Sequence, residues 1–378
     1  MKFESIIGQE KVKQQLIQSV KNGRISHAQL FLGPEGSGAL PLAIAYAQYI
    51  NCHNPTDTDS CGVCRSCINI QKFHHPDLHF SFPIIVNKTA KKEICDDYYP
   101  NWLQALPEKP YITYYEWMLN LDEEGKKQGN IPAGECRQMI KKLGLKAFDA
   151  KYKVLIIWLP EYLGQEGNIL LKQLEEPSPN TLIILVSENS ERILGTILSR
   201  TQILKIPRLS DQDIINDLVT NQKIDLTQAE PIARLAEGNL AAARQMAAEG
   251  VSNFHGYFVN WMRATYTNKM LEIAPIAEQI NDQGREFAKR FLLYSLQMFR
   301  AVSLYKYAAM NMIKLSSEEL VFIEKFQTVF QADVIHDIVS ETNDTIYALE
   351  RNGDIKLIFY NLSFYISRRL GTTTPTKV

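Results

Sequence analysis

Four cysteines are the residues best spaced to do chemistry, in the pattern Cys52-x8-Cys61-x2-Cys64-x2-Cys67. Three thiols at x2 spacing with a fourth nearby can wrap one tetrahedral Zn²⁺ as four thiolates, and Gly62 lets the chain turn between ligands. A shell of four thiolates leaves no open position, so such a metal is structural. Two other readings stand beside it: free buried thiols, or a site in which His53, His74 or His75 replaces one ligand. Cys95 and Cys136 lie apart and read as ordinary thiols.

The second candidate is the turn Gly33-Pro34-Glu35-Gly36-Ser37-Gly38-Ala39-Leu40, entered from the apolar run Ala28–Leu32. A phosphate loop needs G-x-x-x-x-G-K-[ST]: glycines let backbone N–H groups close on phosphate, the Lys neutralises it and the hydroxyl holds Mg²⁺. Gly33, Gly36 and Gly38 are present, but Ala39 and Leu40 stand where the Lys and the hydroxyl belong. The other half of such a site is an acidic pair at a neighbouring strand end. Here Trp158 and Leu159 close the strand. The alternative is a plain tight turn between strand and helix. A third candidate is Arg200 after Ser199; at a domain edge its guanidinium could reach a neighbouring subunit's γ-phosphate, although most such arginines form surface salt bridges. Lys141, Lys142, Lys146, Lys151 and Lys153 read as a solvated face.

The elements that must carry these residues follow from periodicity. A helical stripe covers Ile6–Val20, and Ala28–Leu32 is a buried strand. Leu40, Ala43, Ile44, Ala47 and Ile50 then mark a helix with one buried face. Val154–Trp158 and Leu182–Val186 are apolar strands with a helical segment, Gly167–Glu176, between them, which predicts a parallel sheet. The stretch from about 79 to 134 is aromatic and interrupted by prolines, and reads as an insertion. Short helices are predicted at Asp211–Val219, Leu226–Ala236 and Leu240–Ala248, and longer helices from Ser252 on. The Phe287, Phe291, Tyr294, Met298, Val302, Tyr305 stripe reads as helical core with a subunit contact, and residues 372–378 as a frayed end. The expected organisation is an α/β domain at 1–207 with a cysteine module at 52–67, a small helical domain at 208–250, and an all-α domain at 251–378.

Composition narrows the class. The chain has 378 residues, 45% hydrophobic and 22% charged, with 41 basic against 42 acidic side chains. A net charge of -1 argues against a chain that grips a nucleic-acid backbone by itself. There is no apolar run of membrane-spanning length and no apolar secretory core after Met1-Lys2-Phe3-Glu4-Ser5, so the expected location is the cytoplasm, where cysteines bind metal or stay free.

In combination, these motifs resemble the delta-prime kind of bacterial DNA polymerase III clamp-loader subunit, in the AAA+ family and related to the gamma/tau subunits. The matching residues are Ile7-Gly8-Gln9-Glu10, Ser26-His27-Ala28-Gln29-Leu30-Phe31-Leu32-Gly33-Pro34, the cysteine module, and His75-Pro76-Asp77. Further on they are Leu170-Leu171-Lys172-Gln173-Leu174-Glu175-Glu176-Pro177, Pro179-Asn180-Thr181, and Ile197-Leu198-Ser199-Arg200, with a weaker match at Asn352–Leu357. The resemblance implies a RecA-like AAA+ domain, a helical lid and a helical collar that oligomerises. It also implies a degenerate ATP site that does not hydrolyse, Zn²⁺ on Cys52, Cys61, Cys64 and Cys67, and an arginine finger, Arg200, acting in trans. The implied partners are gamma/tau and delta subunits, and through the complex the sliding clamp and primed DNA, with no membrane role. Ala241 stands where ATP-binding relatives carry a sensor arginine, and Thr201 replaces the usual Cys after Ser-Arg. The competing expectations are an active gamma/tau-type ATPase and a zinc-dependent nucleic-acid-binding module.

Overall fold

The computed structural model describes residues 1–122, 127–249, 254–267, 269–306, 315, 317–328, 332–350 and 353–371. The chain forms two compact units, Met1–Ala248 and Glu249–Val378.

The first unit is built on five parallel strands: β1 (Ala28–Leu32), β2 (Leu78–Ser81), β3 (Lys153–Trp158), β4 (Thr181–Ser187) and β5 (Gln202–Lys205), in the order β2-β3-β4-β1-β5. A parallel sheet is covered on both faces, so its inner strands are apolar throughout. Alternate side chains enter different layers. Phe31, Val154, Ile156, Trp158, Ile184 and Val186 pack with α2 (Ala39–Ile50) and the amphipathic α1 (Glu10–Lys21). Leu30, Leu155, Ile157, Ile183 and Leu185 pack on the opposite face with α6 (Ala133–Gly144). Helix α2 is buried along its whole length, which accounts for its lack of any charged residue.

Between these lie α3 (Arg65–Gln71), α4 (Tyr99–Glu108), α5 (Tyr114–Leu121), α7 (Leu171–Glu175) and α8 (Gly195–Leu198). Helices α9 (Asp211–Thr220), α10 (Leu226–Ala236) and α11 (Leu240–Glu249) follow at nearly the predicted limits and share an apolar cluster of their own. Helix α9 starts on a capping box between Ser210 and Asp213.

Several expectations need correction. The stretch 79–134 is not irregular: its start completes the edge strand β2, and α4 and α5 bring Trp102 and Trp117 into the main core. Pro107 sits in α4 without ending it. The helix expected at Gly167–Glu176 is 3₁₀ as far as Leu170, and only α7 is α-helical. Lys153 is not on a solvated face. It is buried, and its Nζ donates to the carbonyls of Lys142 and Leu143, which caps the end of α6.

The second unit consists, among the described residues, of helices: α12 (Phe254–Tyr266), α13 (Met270–Asp282), α14 (Arg285–Lys306), α15 (Ser317–Phe326), α16 (Ala332–Glu350) and α17 (Ile355–Gly371). Phe287, Phe291, Tyr294, Met298 and Val302 are buried core, packed around Phe254, Phe258 and Trp261. Residues 372–378, expected to fray, and Asn352 lie outside the described residues. No described helix is long and apolar enough to cross a membrane. The fold class is the expected one, a parallel α/β domain followed by helices.

Candidate functional site

The glycine loop links β1 to the N-terminus of α2, and its backbone has a phosphate loop's outline. Gly36 and Gly38 take φ of +71° and +92°, values that side chains other than glycine rarely adopt. At Gly36 a β-carbon would lie 1.9 Å from Asn239 Oδ1. The reason is close approach of the helical segment: Leu240 N donates to Gly36 O at 3.2 Å, and Asn239 Nδ2 donates to Glu35 Oε1 at 3.0 Å. From the other side Gln9 Nε2 donates to the carbonyls of Ser37 and Pro207. The loop is thus held by the N-terminal segment and by α11 together.

The cleft over the loop is nearly full. Ala39 and Leu40 are buried, and Trp158 at the end of β3 and Leu159 after it are 3% and 2% exposed. Trp158 packs on Trp102 at 5.3 Å between ring centroids, so the position expected to carry acid joins an aromatic cluster instead. A cavity of about 30 Å³ remains between these residues, Tyr111 and the loop. Tyr111, which sequence reasoning missed, reaches this cleft from the segment between α4 and α5. Its only signal was its place among the aromatics of 79–134.

Arg200 stands at the opposite end of the sheet. In the parallel register Gln202 pairs with Gln29, which sets residue 200 beside the start of β1, whereas the loop begins beyond its end. Six residues at ~3.3 Å each separate Arg200 from its own loop by about 20 Å. Arg200 Nε donates to Glu175 Oε1 at 2.5 Å, Nη2 pairs with the same oxygen, and Nη1 donates to Thr196 O at 2.9 Å and Ser199 Oγ at 3.2 Å. The Arg200 side chain is about one-third exposed. Nearby His27 Nε2 bonds Leu174 O at 2.9 Å, so the segment that carries Glu175 is tied to β1.

The four predicted cysteines converge. Their sulfur atoms all lie within 4.8 Å of one another, with Cys61 and Cys67 3.9 Å apart. Tetrahedral Zn–S bonds of about 2.3 Å require sulfurs roughly 3.8 Å apart, so the residues fit the ion. Amide N–H groups of Cys61, Cys64 and Cys67 point at the sulfurs of Cys52, Cys61 and Cys64, as thiolates require. Backbone hydrogen bonds, first that of Val63, lower the Cys61 thiol to about 6, while burial raises Cys52 and Cys67. His53, His74 and His75 are not in the cluster. His75 instead bonds Ser66 Oγ through Nε2 and accepts the Asp77 N–H at Nδ1. The module also anchors the chain's start: Asp59 accepts the amides of Phe3 and Glu4, and Gln48 of α2 joins Ser60 to the Met1 amine.

A five-stranded parallel sheet with a glycine loop after β1 places the chain among RecA-like α/β proteins. Residues 8–210, more than half of the chain, match the family described as "DNA polymerase III, delta subunit", and the protein belongs to that family. It is 24% identical over 352 residues to DNA polymerase III subunit delta' of Bacillus subtilis, covering 90% of this chain and 89% of that one. It is 25% identical over 293 residues to DNA polymerase III subunit tau of the same organism, covering 75% of this chain but only 44% of the relative. Among solved structures, a DNA polymerase III gamma subunit-related protein of Thermotoga maritima overlaps 95% of this chain and 99% of its own, at 13% identity and a TM-score of 0.40.

Proposed function

We propose that this chain is a non-hydrolysing, delta-prime-like subunit of a clamp-loader complex in the cytoplasm. It assembles with gamma/tau-type and delta-type subunits to place the sliding clamp on primed DNA, and it lends Arg200 to a neighbour's ATP site. The observation that carries this reading is the position of Arg200: its backbone lies about 20 Å along the sheet from its own loop, so the side chain serves catalysis across a subunit boundary. The filled cleft, together with Ala39, Leu40, Trp158 and Ala241, supports the absence of hydrolysis. Without Lys and hydroxyl the loop has no group to neutralise phosphate or hold Mg²⁺. Ser199 accepts from the guanidinium and helps aim it. Cys52, Cys61, Cys64 and Cys67 hold Zn²⁺ in a closed shell, and the ion's contribution is to fix the module and the N-terminal segment docked on it. The division into an α/β domain at 1–207, a lid at 208–250 and a collar at 251–378 belongs to the same reading.

The test is affinity capture of the full chain from cell extract, with ATP turnover measured on the purified chain alone. Co-purification of clamp-loader subunits and no turnover above background support the proposal. Sustained turnover by the isolated chain would instead favour the gamma/tau-type ATPase, a reading that rests on the likeness to tau. Tight, salt-sensitive DNA binding by the monomer would favour a nucleic-acid module.

A further inference from the structure

Tyr111 comes from a stretch that no motif explains, yet it sits where three parts of the first unit meet. Its hydroxyl accepts the N–H of Ile7 at 3.0 Å, which ties it to the N-terminal segment. Its ring lies against the loop, so that a β-carbon at Gly38 would be 3.2 Å from Tyr111 Cε1. Tyr111 also belongs to the apolar cluster of α9–α11, which includes Leu209, Ile214 and Leu218. The Arg244 guanidinium of α11 stands 5.3 Å from the ring centroid. Asp217 of α9, whose side chain is fully buried, holds Arg244 with two hydrogen bonds of 2.7 and 2.8 Å. A buried carboxylate requires its cation, so Arg244 is fixed and its charge is directed at the ring.

We propose that Tyr111 is the built-in occupant of this cleft: a side chain of the chain itself that fills the space a nucleotide would need and pins α9–α11 onto the loop. The helical segment is then held closed by a permanent contact in place of a ligand. A rigid subunit gains from this, because the angle between sheet and helices does not depend on nucleotide state. Burial raises the Tyr111 phenol to about 12, so the hydroxyl stays neutral and the contact persists at any working pH. The occupancy half rests on reading the cleft as a former nucleotide site; the pin does not.

Hydrogen–deuterium exchange on the full chain separates the two. In Tyr111→Ala, amides of α9, α11 and Ile7 should exchange roughly tenfold faster while β3 and β4 keep wild-type rates. Tyr111→Phe keeps the ring and loses the hydroxyl, so its faster exchange should be confined to Ile7 and its neighbours. Wild-type rates in α9 and α11 of a folded Tyr111→Ala protein would overturn the pin. If that variant does not fold, Tyr111→Leu, which removes the ring but keeps apolar bulk, is the second probe: wild-type rates in α9 and α11 there would overturn the pin. Millimolar ADP is the probe for occupancy: it should leave wild-type exchange unaltered. Protection of Gly33–Leu40 by ADP with Tyr111 intact would overturn the occupancy and the empty-site reading while leaving the pin to stand on the variants.

Discussion

Replacing Asp77 with alanine should cost about 3 kcal/mol of stability. The carboxylate is 2% exposed; Oδ1 accepts the Phe148 amide at 2.7 Å, and Oδ2 accepts those of Asp149 and Ala150 at 2.9 Å each. Hydrogen bonds to a charged group contribute about 1.5–3 kcal/mol each net of water, and because all three share one carboxylate their losses do not add in full. The loop they hold is open to solvent, with Phe148 76% exposed, so freed amides can be rehydrated. The expected loss is therefore that of one to two such bonds, about 3 kcal/mol. Asp77→Asn keeps one acceptor oxygen and should lose about half as much. Urea unfolding of the full chain, followed by tryptophan fluorescence and by circular dichroism, measures both. A loss below about 1 kcal/mol for alanine, or an equal loss for the two variants, would refute the argument. Burial alone would raise this carboxyl, yet the amides of Asp149, Phe148 and Ala150 outweigh it and the net shift is downward. Its contribution is therefore complete above the unfolded carboxylate value of about 3.9 and fades as pH falls through the lower folded value. Wild type should thus lose stability in acid that Asp77→Ala has already lost.

Two further predictions concern the loop and the metal. Gly36→Ala places a β-carbon 1.9 Å from Asn239 Oδ1 at a φ of +71°, and should destabilise the first unit by roughly 2 kcal/mol; thermal unfolding that matches wild type would contradict the close approach. Freshly purified protein should carry one zinc, and chelation should lower its melting temperature. Less than about half an equivalent by elemental analysis, with no change on chelation, would sink a structural metal.

The sequence made the frame readable wherever a periodic pattern and a glycine turn coincided, as from β1 through α2 and from α9 through α11. The cysteine spacing alone identified the four sulfurs that come together. What stayed hidden was held by distant contacts. His75-Pro76-Asp77 matched a family pattern without a reason, and the reason is a loop seventy residues away that Asp77 anchors. Strand β2 has only four residues and an embedded histidine, too short for alternation to mark it; its pairing with β3 makes it a strand. Tyr111 looked like one aromatic among many, because its partners Ile7, Gly38 and Arg244 are local to it only in the folded chain. Lys153 was grouped with neighbouring lysines by charge, although the end of α6 needs its ammonium.

The central claim is that Arg200 works across a subunit boundary. Glu175 now neutralises the guanidinium, and a neighbour's phosphate would have to draw it away. Steady-state ATP hydrolysis by the reconstituted complex, with wild-type chain or Arg200→Ala, tests this most directly, with size-exclusion chromatography to confirm assembly. The account predicts an intact complex in which the one ATP site facing this chain falls by about 10³-fold, lowering total turnover by that site's share. An assembled Arg200→Ala complex that hydrolyses ATP at the wild-type rate would contradict it.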